Sequence, residues 1–186
     1  MATLVHPLSP SSRPEILAHL LALAPEDRRL RFGVPLADET IAGYVARLDF
    51  DRDAVFGVRD DDGHLVGVTH VATLDDAVEL GLSVNATQRG RGLAQAMFRR
   101  ATLHARNRGF GELYMHCLSE NATMMHIARK AGMRIVIDGA DRDATLALPP
   151  ATPLSVGEEI YEGQLVLLDL TLRNTFAGAR GALVSS

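Results

Sequence analysis

The sequence holds a single cysteine, Cys117, in 186 residues. No intrachain disulfide can form, and a reducing compartment, the cytoplasm, is the expected setting. No apolar run reaches the length of a membrane span, so no bilayer partner is expected. A basic excess is also missing. Lys and Arg number 19 against 23 Asp and Glu, a net charge of −4, which argues against nucleic acid as the main partner. The seven histidines are scattered, with no pair at ligand spacing beside a carboxylate, and no metal site is expected. Internal repeats and low-complexity tracts are absent. What remains is a mixed chain, 47% hydrophobic, of one-domain length and with room for a substantial core.

One stretch imitates a secretory leader. Ile16 to Ala24 is apolar and ends in Ala22-Leu23-Ala24, which resembles a cleavage site. His19 interrupts it, however, and Ser12-Arg13-Pro14-Glu15 reads as a capping box that opens an ordinary helix.

The most informative segment is Arg89-Gly90-Arg91-Gly92-Leu93-Ala94. Before it, Val78, Leu80, Leu82 and Val84 alternate with Glu79, Gly81 and Ser83, the period of a strand with one core face. After it, Leu93, Ala94, Met97, Phe98, Ala101 and Ala105 recur at helical spacing, and Gly109 marks the stop. Two glycines let consecutive N–H groups converge, and the helix dipole adds positive potential at the same spot. This is a phosphate-binding loop. A dinucleotide loop of the form Gly-x-Gly-x-x-Gly would need glycine where Gln95 stands.

On these residues the chain resembles the GNAT superfamily of N-acetyltransferases, whose pyrophosphate loop Gln/Arg-x-x-Gly-x-Gly/Ala is matched by Arg89, Gly92 and Ala94. A second segment is similar to the same family: Asn121 opens a helix that closes at Gly132-Met133, with Met for the usual Phe. It departs at Ala128, where many relatives carry a Tyr that protonates the leaving thiolate. Ala24 to Phe32 resembles the front end of bacterial protein-lysine acetyltransferases.

The predicted order is a strand at 3–8, helices at 13–24 and 38–48 (the second capped by Asp38), and strands at 54–59 and 65–73 joined by an Asp60-Asp61-Asp62-Gly63-His64 turn. The motif strand and helix follow, then a strand at 112–118, a helix at 121–131, and strands at 134–138 and 144–148. The resemblance implies an α+β fold: a mixed, mostly antiparallel sheet splayed between its fourth and fifth strands, with flanking helices. The domain is expected over residues 1–149. Residues 150–186 form an extension that packs on this domain or on a second copy in a homodimer; residues 155–173 read equally as helix or strand.

The resemblance also implies the chemistry. Acetyl-CoA is the co-substrate, without a metal. The loop Arg89, Gly90, Arg91, Gly92, Leu93 and Ala94 holds its pyrophosphate, backbone groups of Leu82 and Val84 pair with the pantetheine arm, and Asn121 steadies the cofactor. An alkylammonium has a pKa near 10.4 and must lose a proton before it can attack, so a carboxylate base is wanted. Glu79, on the motif strand, is the candidate. With the usual Tyr absent, Tyr114, Ser119 or bulk water is left to protonate the thiolate. Cys117, mid-strand, reads as a small buried hydrophobe and not a nucleophile. Acidic residues from Asp49 to Asp76 favour a cationic acceptor if they line the cleft. Two functions stand open: an N-acetyltransferase acting on a protein lysine or small-molecule amine, and a catalytically silent acyl-CoA-binding sensory or interaction module.

Overall fold

The computed structural model describes residues 3–138 and 141–184. Seven strands form one sheet: β1 (His6–Pro7), β2 (Ala54–Arg59), β3 (Leu65–Thr73), β4 (Ala77–Val84), β5 (Glu112–Leu118), β6 (Arg134–Asp138) and β7 (Asp141–Ala147). Their order is β1-β2-β3-β4-β5-β7-β6. Every pairing is antiparallel except β4 with β5, which run parallel and pair only at Ala77–Glu79 with Glu112–Tyr114. Beyond those pairs the two strands part. β3 still covers one edge of β4 as far as Val84, and β7 covers one edge of β5 as far as Leu118. The two facing edges are left without a strand partner.

Each face of the sheet buries its own core. On one side, α4 (Leu93–Asn107) and α5 (Ala122–Lys130) pack Met97, Phe98, Ala101, Met124, Ile127 and Ala128 against Val78, Leu80, Leu113 and Met115. On the other, α1 (Arg13–Leu21) and α3 (Asp38–Ala46) pack Ile16, Leu20, Ile41 and Val45 against Val55, Leu65 and Val68. The alternation read along β4 holds: Val78 and Leu80 are in the first core, with Leu82 and Val84 packed against it. Ser83 is buried as well, because α1 covers the opposite face and its His19 Nε2 lies 2.9 Å from Ser83 Oγ.

Several local expectations are corrected. Ser12 does not cap α1; its hydroxyl turns back to accept from Ser9 N at 3.3 Å, and the reciprocal box belongs to the short 3-10 turn at Pro10–Ser12. Glu15 instead pairs with Arg59 at 2.7 Å. Asp38 is the first residue of α3, not its cap, and accepts from Arg28. The first helix stops at Leu21 instead of continuing to residue 24. A further helix, α2 (Pro25–Phe32), follows it, with Pro at its start, Glu26 and Asp27 in its first turn, and Gly33 in the left-handed region at φ 80° as its stop.

The open choice between helix and strand at residues 155–173 resolves as helix, within α6 (Pro153–Val184). Its start is capped at Thr152, three residues before Ser155, by a reciprocal pair: Thr152 N donates to Ser155 Oγ at 2.9 Å and Ser155 N to Thr152 Oγ1 at 3.1 Å. Glu159 fastens α6 to α4, accepting from Arg100 Nη1, His104 Nδ1 and Asn107 Nδ2, each at 2.8 Å. Burial alone would raise the Glu159 pKa, but the bonds from His104, Asn107 and Arg100 outweigh it and pull it to about 2. Among the described residues no helix is long and apolar enough to cross a membrane.

Replacing Glu159 with Ala leaves the buried Arg100 guanidinium without its nearest carboxylate. The expected loss is about 3 kcal/mol of unfolding free energy, read from the urea midpoint at unchanged slope.

Candidate active site

The parted strands open a cleft of about 750 Å³. Its walls are the Leu82–Val84 stretch of β4, the loop and first turn of α4, the β5–α5 junction, and the inner face of α2. Of the residues expected to hold a cofactor, Leu82, Val84, Arg89, Gly90, Gly92, Leu93, Ala94 and Asn121 line this space together. Arg91 does not; its guanidinium is exposed and bonded to Gln88. Of the catalytic candidates, Glu79, Tyr114 and Ser119 are not among the lining residues.

The loop geometry follows from its glycines. Gly90 and Gly92 both adopt positive φ, 74° and 76°, a conformation that side chains rarely adopt. Gly92 is the N-cap of α4, and the first helical bond runs from Ala96 N to Gly92 O. The N–H groups of Leu93, Ala94 and Gln95 therefore have no helical acceptor and point out of the helix end. No side chain caps them. A Cβ at Gly90 or Gly92 would meet no heavy atom within 4 Å, so the space over the loop is open. Open space, free N–H groups and a helix dipole together fit a pyrophosphate.

Helix α2 was not foreseen as an element, and it bridges the cleft. Asp27 pairs with Arg89 of the loop at 2.5 Å. On the far wall, Arg29 pairs with Glu120 at 2.7 Å, and Asn121 Nδ2 donates to Leu30 O at 3.4 Å. Asn121 Oδ1 also caps α5, accepting from Met124 N at 3.2 Å. The acids that line the cleft are thus Asp27 and Glu120, both paired with arginines. None of the acidic residues between Asp49 and Asp76 lines it.

Arg31, also on α2, lies flat over Gly81, where any side chain on residue 81 would collide with its guanidinium. It donates to Tyr44 Oη at 3.2 Å and stacks on Phe32 at 4.8 Å. From there a chain continues: Tyr44 Oη to His70 Nδ1 at 2.8 Å, and His70 Nε2 to Asp53 Oδ2 at 2.8 Å. Burial lowers the His70 pKa, the Asp53 carboxylate opposing. In the neutral imidazole, Nε2–H donates to Asp53 and Nδ1 accepts the Tyr44 hydroxyl, leaving the Tyr44 oxygen to accept from Arg31.

Glu79 stands at the last paired position before the strands part, opposite Tyr114. It is exposed, on the same face of β4 as Gly81. Tyr114 Oη donates to Asp143 Oδ1 at 2.5 Å, and burial together with that carboxylate pushes the phenol up to about 12. Ser119 is exposed in the turn between β5 and α5. Cys117 is buried against Met125, and burial raises its thiol pKa. Ala128, where relatives carry Tyr, is fully buried in the core. Among the described residues, the group spaced to hold a metal is Asp60, Asp62 and His64 in the β2–β3 turn, none of which lines the cleft.

An acetyltransferase (GNAT) domain family model matches residues 3–134. A search of curated proteins finds no match. Among solved structures, the GNAT domain of S. lividans PAT superposes with a TM-score of 0.66 at 19% identity, covering 77% of this chain and 89% of its own. The PaiA N-acetyltransferase of Thermoplasma acidophilum in complex with coenzyme A gives 0.60 at 14% identity, covering 79% and 99%. The ribosomal-protein-S18-alanine N-acetyltransferase of Escherichia coli gives 0.59 at 16%, covering 81% and 96%.

His19 gives this wall a pH dependence. Burial lowers its pKa from 6.5 to about 4, so the unfolded chain takes up the proton first. The contribution of His19 to stability is full above about pH 6.5 and falls by about 3 kcal/mol as pH drops towards 4, where the folded form protonates too. Denaturant titrations across that range should show a fall that is smaller in His19→Gln than in the wild type by about that amount, the remainder belonging to His6 and His70, which burial also lowers.

Proposed function

Because the chain belongs to the GNAT acetyltransferase family, we propose that it transfers the acetyl group of acetyl-CoA directly to a primary amine, on a protein lysine or a small molecule. The observation that carries this reading is the continuity of the unpaired β4 edge with the open loop at Gly90–Ala94. The edge offers backbone donors and acceptors to an extended amide-bearing arm, and the loop offers N–H groups to phosphate. Bound acetyl-CoA supplies a thioester whose carbonyl carbon accepts the amine and whose sulfur departs as thiolate.

The chain's own residues handle orientation and protons. Leu82 and Val84 present backbone to the pantetheine arm, and an N–H on this edge polarises the acetyl carbonyl. Arg89, Gly90, Gly92, Leu93 and Ala94 hold the pyrophosphate, while Arg91 is turned to Gln88 and takes no part in the lining. Glu79 takes the surplus proton of the ammonium, directly or through water, since it is an exposed carboxylate one strand position before the opening. A phenol at about 12 is a poor donor to a thiolate whose own acid has a pKa near 8.5, and the exposed Ser119 hydroxyl is a weaker acid still, so the last proton comes from bulk water, not from Tyr114 or Ser119. Cys117, buried and raised in pKa, favours direct transfer over an acetyl-cysteine route.

Glu79→Gln should lower kcat by about 10²- to 10⁴-fold while leaving acetyl-CoA binding unchanged. Turnover within a factor of about three of wild type would remove Glu79 as the base. Acetyl-CoA binding by the wild type, without release of CoA for any amine in a broad panel, would favour the silent binding module suggested by Ala128.

A further inference from the structure

We propose that Arg31 binds a carboxylate of the acceptor, which makes the acceptor a small, amino-acid-like amine and not a polyamine or an isolated lysine side chain. This inference rests on the N-acetyltransferase reading above and narrows its substrate.

The first ground is charge. Asp27 and Glu120, the acids lining the cleft, are paired with Arg89 and Arg29. Arg31 also lines the cleft, and among the described residues no carboxylate lies within ion-pairing distance of it. The contacts of its guanidinium are Gly81, the Phe32 ring and Tyr44, and among the described residues its side-chain hydrogen bond goes to the Tyr44 phenol. A guanidinium left this way lacks its best partner, a planar anion that accepts two parallel N–H bonds.

Position decides which anion. The phosphate loop lies beyond the C-terminal end of β4, whereas Arg31 lies over Gly81, between Glu79 and the Leu82–Val84 edge. That is the acetyl end of the cleft, where the acceptor must approach. Two residues along a strand span about 6.6 Å. An α-amino acid can place its nitrogen towards Glu79 and its carboxylate on Arg31 across such a gap. A polyamine or an isolated lysine can bring its nitrogen to Glu79 but has no anion for Arg31, and the acidic residues between Asp49 and Asp76 do not line the cleft.

Rigidity is the third ground. Stacking on Phe32 and the chain through Tyr44 and His70 to Asp53 fix the guanidinium plane, and Asp53 is anchored in turn by Thr73 N at 2.9 Å. A fork held in place loses little entropy on binding.

The test compares free amino acids with their α-amides and their decarboxylated amines, by acceptor-dependent CoA release, in the wild type, Arg31→Gln and Arg31→Lys. Wild type should prefer the carboxylates by about 10- to 100-fold in kcat/KM. Arg31→Gln should abolish that preference through KM, with Arg31→Lys intermediate, while the acetyl-CoA-induced shift in melting temperature stays in both. Equal use of amides and amines by the wild type would overturn the inference and leave the transferase reading intact. So would loss of the acetyl-CoA shift in Arg31→Gln with the acceptor preference kept, since the guanidinium would then serve the cofactor. Acetyl-CoA binding with no amine turned over would remove the transferase reading, and the inference with it. If Arg31→Gln fails to fold, the wild-type substrate pairs and Arg31→Lys decide alone.

Discussion

The separation of β4 from β5 after Glu79 and Tyr114 is the constraint on which the rest depends. A sheet normally satisfies every interior backbone group by pairing, and an unpaired edge is a liability. Here two such edges face one another inside the molecule. Each is firmly paired on its outer side, β4 with β3 and β5 with β7, so neither strand can swing in to close the gap. The cores beneath are continuous: Val78 and Leu80 from one strand and Leu113 and Met115 from the other pack in one cluster with α4 and α5. The opening is therefore held by well-packed elements on both sides, and its polar edge is available to a ligand with matching amides.

The charges of the cleft are organised by α2. This short helix sends Asp27 to the loop ahead of α4 and Arg29 to the junction ahead of α5, spanning the two walls. In each pair one partner is exposed, Arg89 in one and Glu120 in the other, so each contributes little to stability, and the larger effect is on the field within the cleft. With Asp27 and Glu120 neutralised, the free N–H groups of the loop and the Arg31 guanidinium set a positive potential along it. Both ends of the cleft are suited to anions, the phosphates at one and, on our reading, a carboxylate at the other.

Much of this was legible in the residue order. The alternation from Val78 to Val84, the glycines at 90 and 92, and the apolar spacing from Leu93 to Ala105 are local features, and the structure keeps them as β4, the loop and α4. Two kinds of feature were not legible. Helix α2 has eight residues, most of them charged, and its few apolar side chains cannot make a periodic stripe, so tertiary contacts decide its fate. The chain from Tyr44 through His70 to Asp53 joins residues 26 and 17 apart in sequence, and only the pairing of β2 with β3 and the seating of α3 bring them together. The capping signal at Ser12 misled for a related reason: a second serine, Ser9, competes for the same hydroxyl. Leu165 to Leu172 fits either period as a short apolar run, and its helical state is set by the continuous helix to which it belongs.

Thermal unfolding with acetyl-CoA, set against NAD and ATP, in the wild type and in Gly92→Val, tests the central claim most directly. A ligand at a hundred times its dissociation constant adds about 2.7 kcal/mol to the stability of the state that binds it. The wild type should show a clear upward shift with acetyl-CoA and little with NAD or ATP, and Gly92→Val should lose the shift, because a β-branched residue cannot hold the φ of 76° that aims the loop. No shift with acetyl-CoA, a larger one with NAD or ATP, or an equal shift in the variant would contradict that claim.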